Sequence, residues 1–368
     1  MTEKSDTIII GGGIIGLMTA RELARRGRSV TVLDRGQLGA QASGAAGGIL
    51  CPLYPWRLPL ALQSLAAQSM REFPQVVAEL TGSSGCAIGL RRTGLLVLDH
   101  DELDLARQWA EQWSIEYESL SARQLQAIEP ELAVDGEGLC FPRMRNVYSR
   151  DLIRALAAEA PSLGIHIHPS LAVEDLRLEV GEAAVKTAQG WMQAEQLVIA
   201  GGAWSGLLLE RLGAVLPLRP VRGQVIQFPA GSSALRHMVL KGRKYLVPRP
   251  GGELIVGSTL EEAGFDAEPT ETGQRVLHEA ATAMVPGLSQ KPVEDHWAGL
   301  RPAAPDGLPF IGAWPEPGRA AIHLNTGHYQ NGILLAPLSG RLLAQQMCGE
   351  VPEQDLAPFR PGRERIVE

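Results

Sequence analysis

The chain opens on a short apolar run from Thr7 to Ile10, which predicts a buried strand, and passes at once into a glycine loop from Gly11 to Gly16. Leu17, Ala20, Leu23 and Ala24 then recur at helical spacing, so a helix is expected over 17–26, with Gly27 as its stop. A second apolar run, Val30 to Leu33, ends at Asp34. Strand, helix and strand follow one another within the first 34 residues, the pattern of a parallel βαβ unit.

Later stretches predict a second kind of architecture. Short strands (95–98) and a polar helix (103–113) mix between 89 and 141. A helix over 151–159 follows, with Ser149 as its expected N-cap. Strands are expected around Leu176 and Val185. The apolar run 196–200, ending at Gly201-Gly202-Ala203-Trp204, reads as a late strand of the first sheet. From Arg222 the pattern changes to alternation over 223–228. Segments 245–249 and 253–258 then flank a Pro250-Gly251-Gly252 turn, which predicts an antiparallel hairpin. A closing apolar helix, 332–347, would return to the first sheet.

The glycines set the chemistry. Gly11, Gly13 and Gly16 form a GxGxxG between a strand and a helix. The first serves the tight turn, the second lets a pyrophosphate approach the backbone, and the third permits close helix–strand packing. Unpaired N–H groups at the helix N-terminus suit phosphates, and Asp34 at the end of the second strand suits ribose hydroxyls. A lone GxGxxG is weak, but here strand, helix, second strand and acid all fall in place. Two features favour FAD over NAD. The unit stands at the N-terminal end of this long sequence, and a second small-residue segment, Ala42 to Ile49 (ASGAAGGI), follows it at once. The fold expected is α/β. A Rossmann-like FAD-binding domain (1–88, 142–220 and 298–368) is interleaved with an antiparallel-sheet α+β substrate-binding domain (89–141 and 221–297).

Composition narrows the setting. The 368 residues are 45% hydrophobic and 20% charged, with a net charge of −7, and no basic run speaks for nucleic acid. Cys51, Cys86, Cys140 and Cys348 form no CxxC pair, so neither a disulfide framework nor a metal site is expected. The N-terminus does not read as a signal peptide, and no stretch approaches a membrane span, so stable membrane insertion is not expected and a cytoplasmic location is.

The fingerprint, the segment SGAAGG and three later motifs together resemble the D-amino-acid oxidase family of flavoproteins. The later motifs are Val198 to Ser205 (VIAGGAWS), Gly299 to Pro302 (GLRP) with Asp306 to Gly312 (DGLPFIG), and Thr326 to Leu335 (TGHYQNGILL). The match runs from residue 7 to about 345, and is nearest to the branch that acts on glycine and is linked to thiamine thiazole synthesis. The resemblance implies that Ile14, Ile15, Asp34 and Arg35 flank adenosine and pyrophosphate, and that Ala42, Ser43, Gly47, Gly48 and Ile49 line the cofactor's middle. Val173 would meet the adenine. His328, Tyr329, Gln330, Asn331, Gly332, Ile333 and Leu334 would close over the flavin's pyrimidine end. Asn331 and Gly332 also open an apolar helix, whose N-terminus can stabilise negative charge on a reduced flavin.

For substrate, the resemblance implies Arg301 as the carboxylate-binding arginine, assisted by the hydroxyl of Tyr245, with Leu260 narrowing the pocket. A planar guanidinium suits that task because it grips a carboxylate with two parallel hydrogen bonds. Relatives on the glycine-acting branch can carry an arginine where this chain has Gln330, which bears on substrate preference. No cysteine lies between Cys140 and Cys348, so non-covalent FAD is expected. The expected chemistry is hydride transfer from a small amino acid or amine to flavin N5, with oxygen as acceptor, no residue acting as acid or base at the carbon, and a homo-oligomeric assembly. Alternatives are a D-amino-acid dehydrogenase using a quinone-type acceptor, a sarcosine-oxidase-like enzyme, a flavin-binding RNA-modifying protein and a non-catalytic subunit.

Overall fold

The computed structural model describes residues 5–314 and 320–363. The outermost residues of the expected FAD-binding domain, and 315–319 within it, lie outside the described residues. The strand Ser5–Ile10 lies centrally in an eight-stranded sheet, paired in parallel with Val30–Leu33 on one side and Gly190–Ile199 on the other. Ile165–His168 continues the parallel array beyond Val30–Leu33, and Ala321–Thr326 continues it beyond Gly190–Ile199. Ile8, Ile9, Val30, Val32, Leu33, Leu197, Val198 and Ile199 are buried, as parallel strands covered on both faces require. Phe310–Ala313 closes one edge antiparallel, and Asp175–Glu179 with Glu182–Thr187 folds back on the first half of Gly190–Ile199.

The chain leaves the central strand to one side and reaches the other side only at Gly190–Ile199. Such a reversal of strand order opens a crevice at the carboxyl ends of the two strands. The fold places its glycine loop there. The fingerprint helix runs Ile14–Ala24, starting earlier than the 17–26 expected from side-chain periodicity, because extended Gly13 is its N-cap. Ser149 is likewise not a cap. It is the first residue of the helix Ser149–Glu159, since the N–H groups of Asp151 and Leu152 already bond the Tyr148 carbonyl.

The sequence reading assigns no element to 60–84, where the structure has the helix Leu60–Ser84 with Pro74 in its interior. Its buried face (Leu62, Leu65, Ala66, Phe73, Val77, Leu80) packs on the helices Ser149–Glu159 and Gly332–Met347. Gly332–Met347 in turn lies so close to the fingerprint helix that a Cβ at Gly340 would stand 3.0 Å from the backbone of Met18 and Thr19.

The second sheet also has eight strands. Asp295–Ala303 at one edge pairs with Arg219–Phe228, followed by Leu254–Gly257, Lys244–Pro248, Met238–Lys241, Leu95–Val97, Gly138–Phe141 and Glu118–Leu120. The expected hairpin is present, Lys244–Pro248 against Leu254–Gly257. One ladder departs from the antiparallel expectation: Met238–Lys241 runs parallel to Leu95–Val97. These strands come from chain segments far apart in sequence, so no tight turn fixes their relative direction.

Two glycines separate a packing role from a dispensable one. A Cβ on Gly16 would stand 1.9 Å from the Gly11 carbonyl oxygen, whereas a Cβ on Gly82, exposed in the helix Leu60–Ser84, meets nothing within 4 Å. Gly16→Ala is expected to destabilise the protein by about 1–3 kcal/mol. Gly82→Ala should stabilise it by about 0.5–1 kcal/mol. Thermal unfolding midpoints moving in the same direction for both variants would contradict this account.

Candidate active site

The carboxyl ends of the parallel strands open into a cavity of about 450 Å³. Gly11 follows the first strand into its wall, Asp34 the second, Leu171 the third, Ala200 the fourth, and Thr326 ends the fifth. Asp34 does more than face the cavity. Its Oδ2 accepts the Gly12 N–H at 2.7 Å and its Oδ1 the Gly36 N–H at 2.8 Å, so the carboxylate pins the loop that carries the fingerprint. Ser43 Oγ accepts the Ile14 N–H at 3.0 Å and ties the small-residue segment to the same loop. Arg35 stacks over the Trp204 ring, 3.7 Å from its centroid.

Ala42, Ser43, Gly47, Gly48 and Ile49 run along the wall between the two sheets. There is no room for larger side chains. A Cβ on Gly48 would lie 1.9 Å from the Val147 carbonyl oxygen, and one on Gly47 would lie 2.8 Å from the Tyr245 hydroxyl. Beyond this strap the second sheet supplies the far end of the cavity. Tyr245 is buried there on the strand Lys244–Pro248, with Ser258 within hydrogen-bonding reach of its hydroxyl.

Arg301 stands on the strand Asp295–Ala303, in register with Val221. Its guanidinium lies over Gly223, where a Cβ would come 2.0 Å from both terminal nitrogens, and Nη1 donates to the Thr259 carbonyl at 3.2 Å. Burial pulls its pKa down from the ordinary arginine range. Among the described residues no carboxylate ion-pairs with it. Glu261, whose charge reaches it, is held instead by Arg222 and Gln224, each at 2.7 Å.

Gly11, Gly13, Ile14, Ile15, Asp34, Arg35, Val173, His328, Tyr329, Gln330, Gly332 and Ile333 all line the one cavity, together with the strap, Tyr245 and Arg301. Tyr329 holds a left-handed backbone (φ 50°), with its N–H on the Pro302 carbonyl at 3.0 Å. Four expected residues stand outside the wall. Gly16 packs under the loop, Asn331 is the N-cap of the helix Gly332–Met347, Leu334 is buried in the core, and Leu260 is 45% exposed. Several wall residues were absent from the expected set. Trp204 follows a strand and a glycine pair, as the fingerprint does, so its signal was present. Ser258, Gly223, Cys51 and Leu53 reach the wall only through strand pairing and loop packing.

His328 and His323 are neutral fixtures. Burial pulls the pKa of His328 down to about 3 and that of His323 to about 4, and neither ring has a hydrogen-bond partner among the described residues. The unfolded chain protonates these rings near pH 6.5 and the folded chain does not, so stability falls as pH drops from about 6.5 toward 4 and is level above that window. The loss expected is on the order of 3 kcal/mol for each ring by pH 4. His328→Gln should flatten the fall in thermal midpoint between pH 6.5 and 4.5, and an unchanged slope would reject the assignment.

Comparison with known proteins agrees with this geometry. A family model described as FAD dependent oxidoreductase matches residues 6–346. The chain is 40% identical to a glycine oxidase of Pseudomonas aeruginosa, over 98% of this chain and 99% of that protein. It is 34% identical to a bifunctional protein ThiO/ThiG of Trichormus variabilis, over 97% of this chain and 55% of that longer protein. The crystal structure of a glycine oxidase from Geobacillus kaustophilus superposes with a TM-score of 0.92 at 33% identity, covering 98% of this chain and 99% of that one. A strand-end crevice, a glycine fingerprint pinned by Asp34 and a match over nearly the whole chain lead to one conclusion: the protein belongs to the D-amino-acid oxidase family of FAD-dependent oxidoreductases.

Proposed function

We propose that the protein oxidises glycine and other small amines or D-amino acids to glyoxylate or the matching 2-oxo acid, with ammonia and hydrogen peroxide as the other products. The observation that carries this reading is Arg301, an enclosed guanidinium with no carboxylate partner among the described residues, facing a cavity beside the Tyr245 hydroxyl. Leaving a buried cation unpaired is costly, and the carboxylate of a small amino acid would supply the pair.

The residues fit a non-covalent FAD. Two helix N-termini without side-chain caps, at Gly13 and at Asn331, open beside one cavity. Gly11, Gly13, Ile14, Ile15, Asp34, Arg35 and Val173 would hold the adenosine and pyrophosphate. Ala42, Ser43, Gly47, Gly48 and Ile49 would line the middle, and His328 to Ile333 the pyrimidine end. FAD, when bound, supplies the two-electron acceptor. In this reading the first sheet carries the dinucleotide and the second presents Arg301 and Tyr245 to the substrate.

Arg301 grips the carboxylate with its planar fork, and Tyr245, whose burial keeps its hydroxyl protonated, donates to the same group. Fixing the carboxylate at two points turns the α-C–H toward the acceptor, and orientation of this kind supplies much of the rate. The amine must react in its neutral form, which the apolar side chains of Ile49, Cys51 and Leu53 favour by desolvation. His328, neutral and unbonded, takes no part as a base. Service to thiamine thiazole synthesis belongs to the same proposal and rests on the sequence resemblance and the ThiO/ThiG relative.

Arg301→Ala is expected to keep its yellow, releasable FAD while kcat/KM for glycine falls about 10²- to 10³-fold. Unchanged kinetics would reject the carboxylate role. Peroxide released on glycine supports the oxidase. Dye reduction on D-alanine without peroxide would favour a dehydrogenase instead.

A further inference from the structure

Buried arginines elsewhere in this protein are neutralised. Arg21 pairs with Glu159 at 2.7 Å, and Arg222 with Glu261 at 2.7 Å and Asp266 at 2.8 Å. Arg249 breaks the pattern. It follows the strand Lys244–Pro248 and is only 6% exposed. Its Nη2 donates to the Gly47 carbonyl at 2.8 Å and its Nη1 to the Val147 carbonyl at 3.4 Å, while the guanidinium lies over the Tyr148 ring, 4.6 Å from the centroid. Its Nε is buried without a partner, and among the described residues no carboxylate ion-pairs with it. Glu253 and Asp151 act on it only from beyond ion-pairing distance.

Its position gives the exception meaning. Gly47, whose carbonyl Arg249 holds, lines the cavity against the Tyr245 hydroxyl, and both Arg249 and Arg301 act electrostatically on Tyr245. Arg301 opens to the cavity, where a substrate carboxylate can neutralise it. Arg249 is not in the cavity wall, so no substrate reaches it. What its charge meets is whatever lies across Gly47. Under the function proposed above, that would be FAD where the middle lined by the strap passes into the redox end, because a Cβ on Gly47 would lie 2.8 Å from the Tyr245 hydroxyl and the acceptor must stand beside Arg301 and Tyr245. A hydride carries two electrons and one proton, so FAD, when bound, would gain one negative charge on taking it up while the neutral amine would leave as the iminium. A fixed positive charge behind a water-poor wall would favour that charge and needs no reorganisation to do so.

We infer that Arg249 is a positioning residue that fixes the Gly47 strap and, through it, supplies a permanent positive charge favouring reduced over oxidised flavin. The helix N-terminus at Gly332 would act on the same negative charge from another side, so the effect of Arg249 is a share and not the whole.

The test is the reduced-to-oxidised ratio of bound FAD at a fixed dye poise, measured on holoprotein with no amine present, for the parent and for Arg249→Lys, Arg249→Gln and Arg249→Met. The neutral variants should lower the ratio about tenfold, equivalent to about 30 mV for a two-electron couple. The lysine variant, which keeps the charge but loses the fork, should stay within about threefold of the parent and release FAD faster. Neutral variants that take up no FAD while the lysine variant loads at the parental ratio also support the charge. A parental ratio in the neutral variants overturns the inference, as does a lysine variant that falls as far as glutamine. Failure of all three to load overturns it too and leaves a purely structural side chain. A parent protein that takes up no FAD would instead sink the flavoenzyme reading, and the two failures are thereby distinct.

Discussion

The architecture turns on one close approach. The segment from Ala42 to Ile49 passes between the two sheets with no space for a side chain at Gly47 or Gly48. The Val147 carbonyl bounds it at Gly48, the Tyr245 hydroxyl at Gly47, and Gly299 of the second sheet at Ala45, where a Cβ on Gly299 would stand 2.7 Å from the alanine methyl. A cavity wall built of backbone leaves the interior free for a large cofactor and brings groups of the second sheet up to it. The dinucleotide fingerprint and Arg301 stand on different sheets. This strap makes them parts of one site.

Charge follows the same geometry. The fold neutralises Arg21 with the buried Glu159 and Arg222 with Glu261 and Asp266, yet it leaves Arg301 and Arg249 on the two sides of the strap without a carboxylate among the described residues. Leaving a buried cation unpaired is costly, so under the proposed function the pair would mark where negative charge arrives: a carboxylate in front of the strap, electrons across it. The titratable groups nearby are silenced by burial. His328 stays neutral, Cys51 is pushed up to about 12, and Tyr245 is pushed up as well. Under the proposed function, the wall would orient and polarise without exchanging protons with the substrate carbon.

Local pattern was a good guide wherever an element is short and bounded. The strand Val30–Leu33 and the helix Gly332–Met347 fall where apolar spacing and flanking glycine place them. The hairpin around Pro250-Gly251-Gly252 follows from its turn chemistry. Pattern failed where a competing local signal was overridden. Pro74 sits inside the helix Leu60–Ser84 because packing of its apolar face on two other helices outweighs one lost hydrogen bond. Ser149 was a plausible cap by residue type, but the backbone of Tyr148 had already begun the helix. Leu260, which the family resemblance rather than local pattern put at the pocket, stands 45% exposed beside the Glu261 that bonds Arg222.

The sequence by itself determined the dinucleotide unit, because GxGxxG between strand and helix is a local constraint: turn geometry, backbone approach and helix packing are all settled within a few residues. It also marked Arg301 and Tyr245 through the motifs around them. It could not determine that Asp34 binds the fingerprint loop as well as facing the cavity, that Gly223 makes room for the Arg301 guanidinium, or that Arg249 stands unpaired behind Gly47. Each of these depends on which residues a distant strand brings opposite. Pairing register and the closeness of two backbones are properties of the packed chain, and only the tertiary structure decides them.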